Sequence, residues 1–420
     1  MLRTTLRTAL SPWQWPLSTW LLLLGMVLAV RFPLKFLVDQ AFLMDFDLFH
    51  TIAQRVLSHQ AITLYDQADT PQAVFKYAPL WALAWTPLGW LSSHAGAVAW
   101  STLTAGFLLG TCWTADRLCR TLGLSPAGFV APLAVLLLVR PLTAEFLNGQ
   151  VNVLWGLLVL VCLLAEAARR PWLAALSLAS AISLKLPALL FLLYLAARRR
   201  WASAGRTLLL LVALNLVAAW ALVPSRPLAL LAAWQRTLLA TGPDRAFEIG
   251  SQSLLALLGR LLRADGYGFN VLALPDGAVA AVAALVSLAL FAAVCLPPAR
   301  GTPDPLRTLL DGALLNVFMV LFSPTCWVAT YSALLFPVFV AIALFSSQPR
   351  AVWRRPSLTL GALAGLLFSA LTHAKVWRFL GVRAIKGETY VFEVLMILPL
   401  FGLSLAWCLW HQRRWLARRS

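Results

Sequence analysis

The sequence predicts an all-α polytopic membrane protein, a bundle of about ten to twelve transmembrane or re-entrant helices with further helices in the outer loops. Three observations carry that reading. Of the 420 residues, 61% are hydrophobic and mean hydropathy is +0.80. Only 12% are charged, about half the roughly 25% of a soluble domain. The third is the placement of charge. The net +18 comes from short Lys/Arg runs between apolar segments, the pattern that orients a chain in a bilayer rather than one that binds nucleic acid. One continuous bundle spanning residues 1–420 is expected, not a string of domains. Six scattered cysteines with no CxxC pair and no metal-ligand spacing read as packing residues.

The elements follow in order. Arg3 and Arg7 hold the N-terminus in the cytoplasm. The apolar run from Trp15 to Val38 lacks a small-residue cleavage site, so it reads as a retained first span. Residues 39–76 are too polar to span and form the first outer loop, with an amphipathic piece over Leu48–Leu57. A short Pro-containing piece and a span return the chain at Asp116–Arg120. Residues 125–140 exit and 150–168 return to Glu166, Arg169 and Arg170.

The segment 172–197 is long enough to cross once, but that would put Arg198, Arg199 and Arg200 outside. Lys185-Leu186-Pro187 interrupts its centre, and proline removes an amide donor and disfavours helix before it. Two half-helices in a re-entrant hairpin are therefore expected, an arrangement tolerated where it lines a cavity. Residues 204–223 exit to a long outer loop, 224–272. Residues 273–296 return, spans near 308–322, 327–346, 356–374 and 390–411 complete the bundle, and the tail 411–420 is basic and cytoplasmic.

The acids divide unevenly on this threading. The cytoplasmic side holds Asp116, Glu166, Asp304 and Asp311. The outer side holds Asp39, Asp45, Asp47, Asp66, Asp69, Glu145, Asp244, Glu248, Asp265, Asp276 and Glu388, with Glu393 near the outer boundary. Polar, hydrated chemistry is thus expected outside. Ionisable groups at a membrane mouth cost several kcal/mol unless hydrated, paired or used, and Asp45 reads as a catalytic base. The first outer loop adds Asp47, His50, Tyr65, Asp66, Lys76 and Tyr77.

Asn148-Gly149-Gln150-Val151-Asn152, beside Glu145, offers three amides for reading hydroxyls; helix capping and helix bridging are the plainer roles for Asn148, Gln150 and Asn152. Lys185 sits deep in an apolar segment with no acid near it in sequence, which suits a phosphate. Gln252-Ser253 precedes an amphipathic helix over Leu254–Leu262 that ends in Arg260 and Arg263, and Ser323-Pro324-Thr325-Cys326-Trp327 turns between two spans on the same face.

With these pieces in order the chain resembles glycosyltransferase family 87, polyprenyl-phosphate-mannose-dependent mannosyltransferases of the GT-C class. The marks are Asp45-Phe46-x-Leu48-Phe49, Leu64-Tyr65-Asp66, Phe75-x-Tyr77-x-Pro79-Leu80, Asn148–Asn152, Lys185-Leu186-Pro187, Gln252-Ser253-Leu254 and Ser323-Pro324-x-x-Trp327. The resemblance implies a GT-C bundle in the bacterial plasma membrane and cell-envelope sugar transfer on the extracytoplasmic face. It implies a hexose, mannose first, moving from a polyprenyl-phosphate donor to a glycolipid or glycan acceptor, with Asp45 as the base. Two departures stand out. Many members carry His soon after the Ser-Pro-x-x-Trp element, where this chain has Val328-Ala329-Thr330-Tyr331. The family's frequent Tyr-Pro-Pro is Tyr77-Ala78-Pro79 here.

The expected chemistry is a single displacement with inversion. A carboxylate takes the proton of the acceptor hydroxyl, and the departing polyprenyl phosphate is held by cations: Lys185 with Lys76, Arg245 or Arg378. No cofactor is expected. Asp45 and Asp47 would chelate Mg²⁺ or Mn²⁺ only from an extended segment, since on a helix they diverge by roughly 200°. A lipid or sugar transporter is the rival from another class. It predicts acids at mid-membrane on several spans, whereas this chain gathers them in outer loops. A non-catalytic envelope scaffold is the third reading.

Overall fold

The computed structural model describes residues 15–38, 44–66, 74–241, 245–264, 270–296, 304–347, 355–379 and 391–416. Arg3, Arg7, Asp39, Asp69, Asp244, Asp265, Arg300, Glu388 and the last tail residues, 417–420, lie outside them. Every element among the described residues is helical. Five helices are long and apolar enough to cross a membrane: Leu17–Val38, Ser93–Thr121, Trp201–Leu222, Asp276–Cys295 and Val328–Ser347. A bent pair, Val130–Leu137 and Val139–Asn148, makes a sixth, and shorter apolar helices such as Asn152–Ala167 and Pro356–Leu371 fill the bundle. The core is drawn from most of these elements, with Trp155, Tyr331, Phe336 and Phe339 almost wholly buried.

Two prolines shape the site, and in each case the carbonyl they orphan finds a new donor. Pro141 cannot donate to Leu137 four residues back. The Leu137 carbonyl instead accepts from Ser369 Oγ at 2.6 Å, and the two halves meet at 71°. Residues 141–148, expected as loop, are therefore helix, folded back toward the site. Pro187 likewise frees the Ser183 carbonyl, which accepts from Ala78 N at 3.1 Å. The break in the 172–197 segment is thereby stitched to the end of the first loop.

That segment turns back on itself. Helix Asn152–Ala167 is about 24 Å long at 1.5 Å per residue. Lys185, at the centre of the segment, bonds Asn152 at one end of that helix. Arg200, just past the end of the segment, pairs with Glu166 at the other end, 3.3 Å away. Pro171–Leu184 runs up and Leu189–Ala197 runs back, as the proline and the arginine run predict. Arg169 and Arg199 follow their helices at φ 56° and 57°, a left-handed position that usually favours glycine; here a cation complements the helix C-terminus.

The amphipathic piece of the first loop is helix Met44–Leu57, slightly longer than expected. Its apolar stripe of Phe46, Phe49, Ile52 and Ala53 is buried to 2% exposure or less, at the spacing that marks one helical face. Phe49 stacks on Trp85 at 4.2 Å and meets Tyr77 and Trp100 edge-on at 5.4 and 5.8 Å. Burial of Phe46 and Phe49 stabilises the docking by about 2 kcal/mol each, and it fixes the direction in which Asp45 points.

Candidate active site

Gly149 determines how close Asp45 comes to the amides. It ends helix Val139–Asn148 at φ 68°, ψ 37°, a conformation glycine adopts freely. A Cβ there would lie 2.6 Å from Phe46 Cβ. The Gly149 carbonyl accepts from Trp100 Nε1 at 3.0 Å. Glycine thus lets two backbones touch, and Gln150 Nε2 donates to Asp45 Oδ2 as a result.

Beneath this contact runs a buried polar chain. Glu145, wholly buried, accepts from Val153 N at 2.9 Å, Asn152 Nδ2 at 2.7 Å and Ser332 Oγ at 3.0 Å. Asn152 is also wholly buried. Its Nδ2 reaches Gln150 Oε1 at 3.3 Å, and its Oδ1 accepts from Lys185 Nζ at 2.5 Å. The ammonium lies 5.7 Å from the centre of the Trp155 ring. One buried carboxylate therefore orients an asparagine, which orients both a lysine and the glutamine that touches Asp45. Buried hydrogen-bond networks of this kind hold their members in place.

Asp45 is half-buried. Burial lifts its carboxyl above the usual aspartate range, and the Lys185 charge and the Gln150 hydrogen bond pull it part of the way back. The lift strengthens it as a base at neutral pH. Half-buried Lys76 is pushed below the usual lysine range, first by burial and then by Arg245 and Lys185. Three cations, Lys76, Arg245 and Lys185, thus gather within range of one another. The Lys76 carbonyl is held by Trp234 Nε1 at 3.0 Å, and Arg245 pairs loosely with Glu248 at 3.7 Å.

The other sequence candidates fall into two groups. Tyr77 packs under Asp45 against Phe49 and Trp85, and its carbonyl is capped by Tyr65 Oη at 2.9 Å. The remainder are occupied by structure. Asp47 lies on the same helix as Asp45 but accepts from Ser93 Oγ at 3.0 Å, while Asp45 faces Gln150; the helical geometry separates the two carboxylates, and the chelating pair is not formed. His50 contacts the Leu91 carbonyl at 3.0 Å, and Asp66 ends the described part of the loop. Asn148 closes its helix.

Gln252 is wholly buried, its N bonded to Cys326 O at 2.5 Å and its Nε2 to Glu393 O at 2.9 Å. Ser253 caps helix Leu254–Leu262 through Ala256 N at 3.0 Å. Trp327 covers Gly250, where a Cβ would lie 2.6 Å from its ring. These three shape the wall that carries Cys326 toward Lys185. Arg378 falls on the short helix Ala374–Phe379.

A carboxylate lifted by burial lies within range of the Lys185 charge, Lys185 lies within range of Lys76 and Arg245, and a membrane-type bundle surrounds them. The model of glycosyltransferase family 87 matches residues 75–324. The chain belongs to that family. It is a glycosyltransferase. A Mycolicibacterium smegmatis relative, a polyprenol-phosphate-mannose-dependent α-(1-2)-phosphatidylinositol mannoside mannosyltransferase, is 28% identical over 353 residues, 78% of this chain and 76% of its own length. A Mycobacterium tuberculosis relative with the same description is 28% identical over 367 residues, 79% and 76%. A second M. smegmatis protein, described as acting on a phosphatidylinositol pentamannoside, is 29% identical over 267 residues, 62% and 59%. The family match begins after the Asp45 helix.

Glu145 is the residue that sequence reasoning underrates. It registers only as a neighbour of the amides, although a carboxylate three residues before an Asn-Gly turn is well placed to fold back onto the amides beyond it.

Proposed function

We propose that this chain moves a mannosyl group from a polyprenyl-phosphate donor to a lipid or glycan acceptor on the extracytoplasmic face of the membrane. Asp45 is the general base. The acceptor hydroxyl attacks the anomeric carbon and its proton passes to the Asp45 carboxylate. The bond from that carbon to the phosphate oxygen breaks, and the electron pair leaves on the polyprenyl phosphate, with inversion. Lys185, Lys76 and Arg245 neutralise the departing phosphate; a leaving group that already carries charge needs cations more than a protonating acid.

The observation that carries this reading is the amide relay that holds Asp45 through Gln150 and Lys185 through Asn152, both set by buried Glu145, with Lys76 and Arg245 in range of the Lys185 charge. The relatives' described use of polyprenol-phosphate-mannose supports the donor. Their phosphatidylinositol mannoside acceptors support a glycolipid as the acceptor class here. The excess of Lys and Arg at the other end of the bundle supports an extracytoplasmic site with both termini cytoplasmic. The reaction is proposed to need no cofactor and no divalent metal.

The test is transfer by the purified protein. With polyprenyl-phosphate-[¹⁴C]mannose and a phosphatidylinositol mannoside acceptor, labelled glycolipid is expected. Label that stays in the donor with every lipid and glycan acceptor offered would overturn the reading.

A further inference from the structure

The end of the bundle away from Asp45 carries a second polar centre that sugar transfer does not use. Asp311 is closed: Oδ1 accepts from Arg413 Nε at 2.5 Å and Oδ2 from Tyr194 Oη at 2.9 Å, with side-chain exposures of 7% for Arg413 and 2% for Asp311. Arg413 Nη2 also donates to the Val294 and Leu296 carbonyls at 2.8 and 3.4 Å. Arg307 shares the Leu296 carbonyl through Nη2 at 3.1 Å. Arg198 lies 5.9 Å from the centre of the Tyr194 ring.

Three guanidinium groups from three elements thus converge on one aspartate whose oxygens are already taken. Arg198 and Arg413 lie close enough to repel the charge of Arg307. Asp304, an acid on the same helix, is turned to cap Leu306 N at 2.9 Å. Arg307 is 8% exposed, yet its Nε has no hydrogen-bond partner, and neither does Arg198 Nη1. Buried donors without partners are costly, and more so on charged groups. Two guanidinium groups in range of each other's charge, each with a buried donor left over, are what a phosphate group satisfies, through paired N–H donors.

We propose that Arg198 and Arg307, standing on the Arg413–Asp311 pair, bind the phosphate group of an anionic membrane lipid. The apolar surroundings favour a lipid over a soluble phosphate as the carrier. Leu296, whose carbonyl two of the arginines share, is 63% exposed, and Trp201 and Leu193, beside Arg198 in the chain, are 65% and 47% exposed. Acyl chains would lie on that surface. Basic recesses between helices at a membrane interface hold lipid headgroups in this way. A bound phosphate would tie the returning arm of the hairpin to helix Pro305–Leu321.

The full-length protein, stripped of lipid in detergent, is tested by thermal unfolding and by native mass spectrometry with phosphatidylglycerol, phosphatidylcholine or inorganic phosphate. Phosphatidylglycerol is expected to raise the unfolding midpoint and to remain bound, and phosphatidylcholine to do neither. Arg198→Gln combined with Arg307→Gln should weaken the phosphatidylglycerol effect by about tenfold or more, and Arg414→Gln, at an exposed arginine nearby, should leave it intact. A midpoint raised by inorganic phosphate but not by phosphatidylglycerol would overturn the lipid assignment in favour of a soluble phosphate. No effect of either on the wild-type protein would overturn the site itself, as would a phosphatidylglycerol effect unchanged in the double variant.

Discussion

Both ends of the bundle bury a carboxylate among cations, and they use it in opposite ways. At the basic end Asp311 touches Arg413 directly, and the pair is closed off by Tyr194. At the other end Glu145 touches only neutral groups: Asn152, Ser332 and a backbone amide. Asn152 then holds Lys185, and Gln150 holds Asp45. An amide between acid and cation fixes position without cancelling charge, because it donates to one and accepts from the other. The ion pair serves architecture; the amide-separated pair is the arrangement that the proposed transfer needs, with Lys185 toward the phosphate and Asp45 toward the acceptor proton.

Four substitutions break or sharpen that contrast. The largest effect on stability is expected from Asp311→Asn, which strands Arg413 in the interior. Loss of one partner of a buried pair costs about 3–5 kcal/mol, so the unfolding midpoint should drop sharply, while the folded fraction keeps its transfer rate. Lys185→Gln should do the reverse. Folding survives because the amide can still reach Asn152, but donor KM should rise about tenfold or more with the loss of a charged contact.

The same variant tests the electrostatics of Asp45. Its carboxyl is lifted by burial and lowered by Lys185. The base works ionised, so kcat/KM should fall as pH drops through the lifted pKa, above the usual aspartate value of about 3.9. Removal of the Lys185 charge takes away a lowering influence, so the acid limb should move to higher pH; a shift toward lower pH would contradict the coupling.

Glu145→Gln should cost less, about tenfold in kcat/KM, since one amide oxygen replaces two carboxylate acceptors and the Asn152 orientation loosens. The smallest effect belongs to Asp47→Asn, whose Ser93 contact lies at the surface, with rates within about threefold of wild type. A chelator in the same assay should leave the rate unchanged; a loss restored by Mn²⁺ would contradict the metal-free account.

The sequence discloses the parts of this contrast that are local. Composition and the Lys/Arg runs define the bundle, the amphipathic piece over Leu48–Leu57 marks most of the docked helix, and Pro187 with Arg198–Arg200 defines the hairpin. The Asn148–Asn152 run is visible as a polar cluster beside Glu145, and Lys185 as a cation with no acid near it in sequence. What stays hidden is pairing across distance. Lys185 meets Asn152 from 33 residues away and Arg413 meets Asp311 from 102, and no periodicity encodes either. The same limit makes Gln252 and Ser253 look like ligand readers: a polar run beside a span has one appearance whether its donors face a sugar or, as here, the Glu393 carbonyl and a helix N-terminus. The sequence marks the end of a span at residue 140 but does not disclose the 71° return at Pro141, whose outcome depends on Ser369 taking the orphaned carbonyl.

The central claim is that the Asp45 carboxylate takes the acceptor proton. Purified wild-type protein and Asp45→Asn are compared for mannosyl transfer from polyprenyl-phosphate-mannose, with donor binding measured separately. A loss of about 10²–10⁴-fold in kcat, the usual worth of a general base, with donor affinity held within a few-fold, is the predicted result. Transfer by the folded Asp45→Asn protein at the wild-type rate would contradict it.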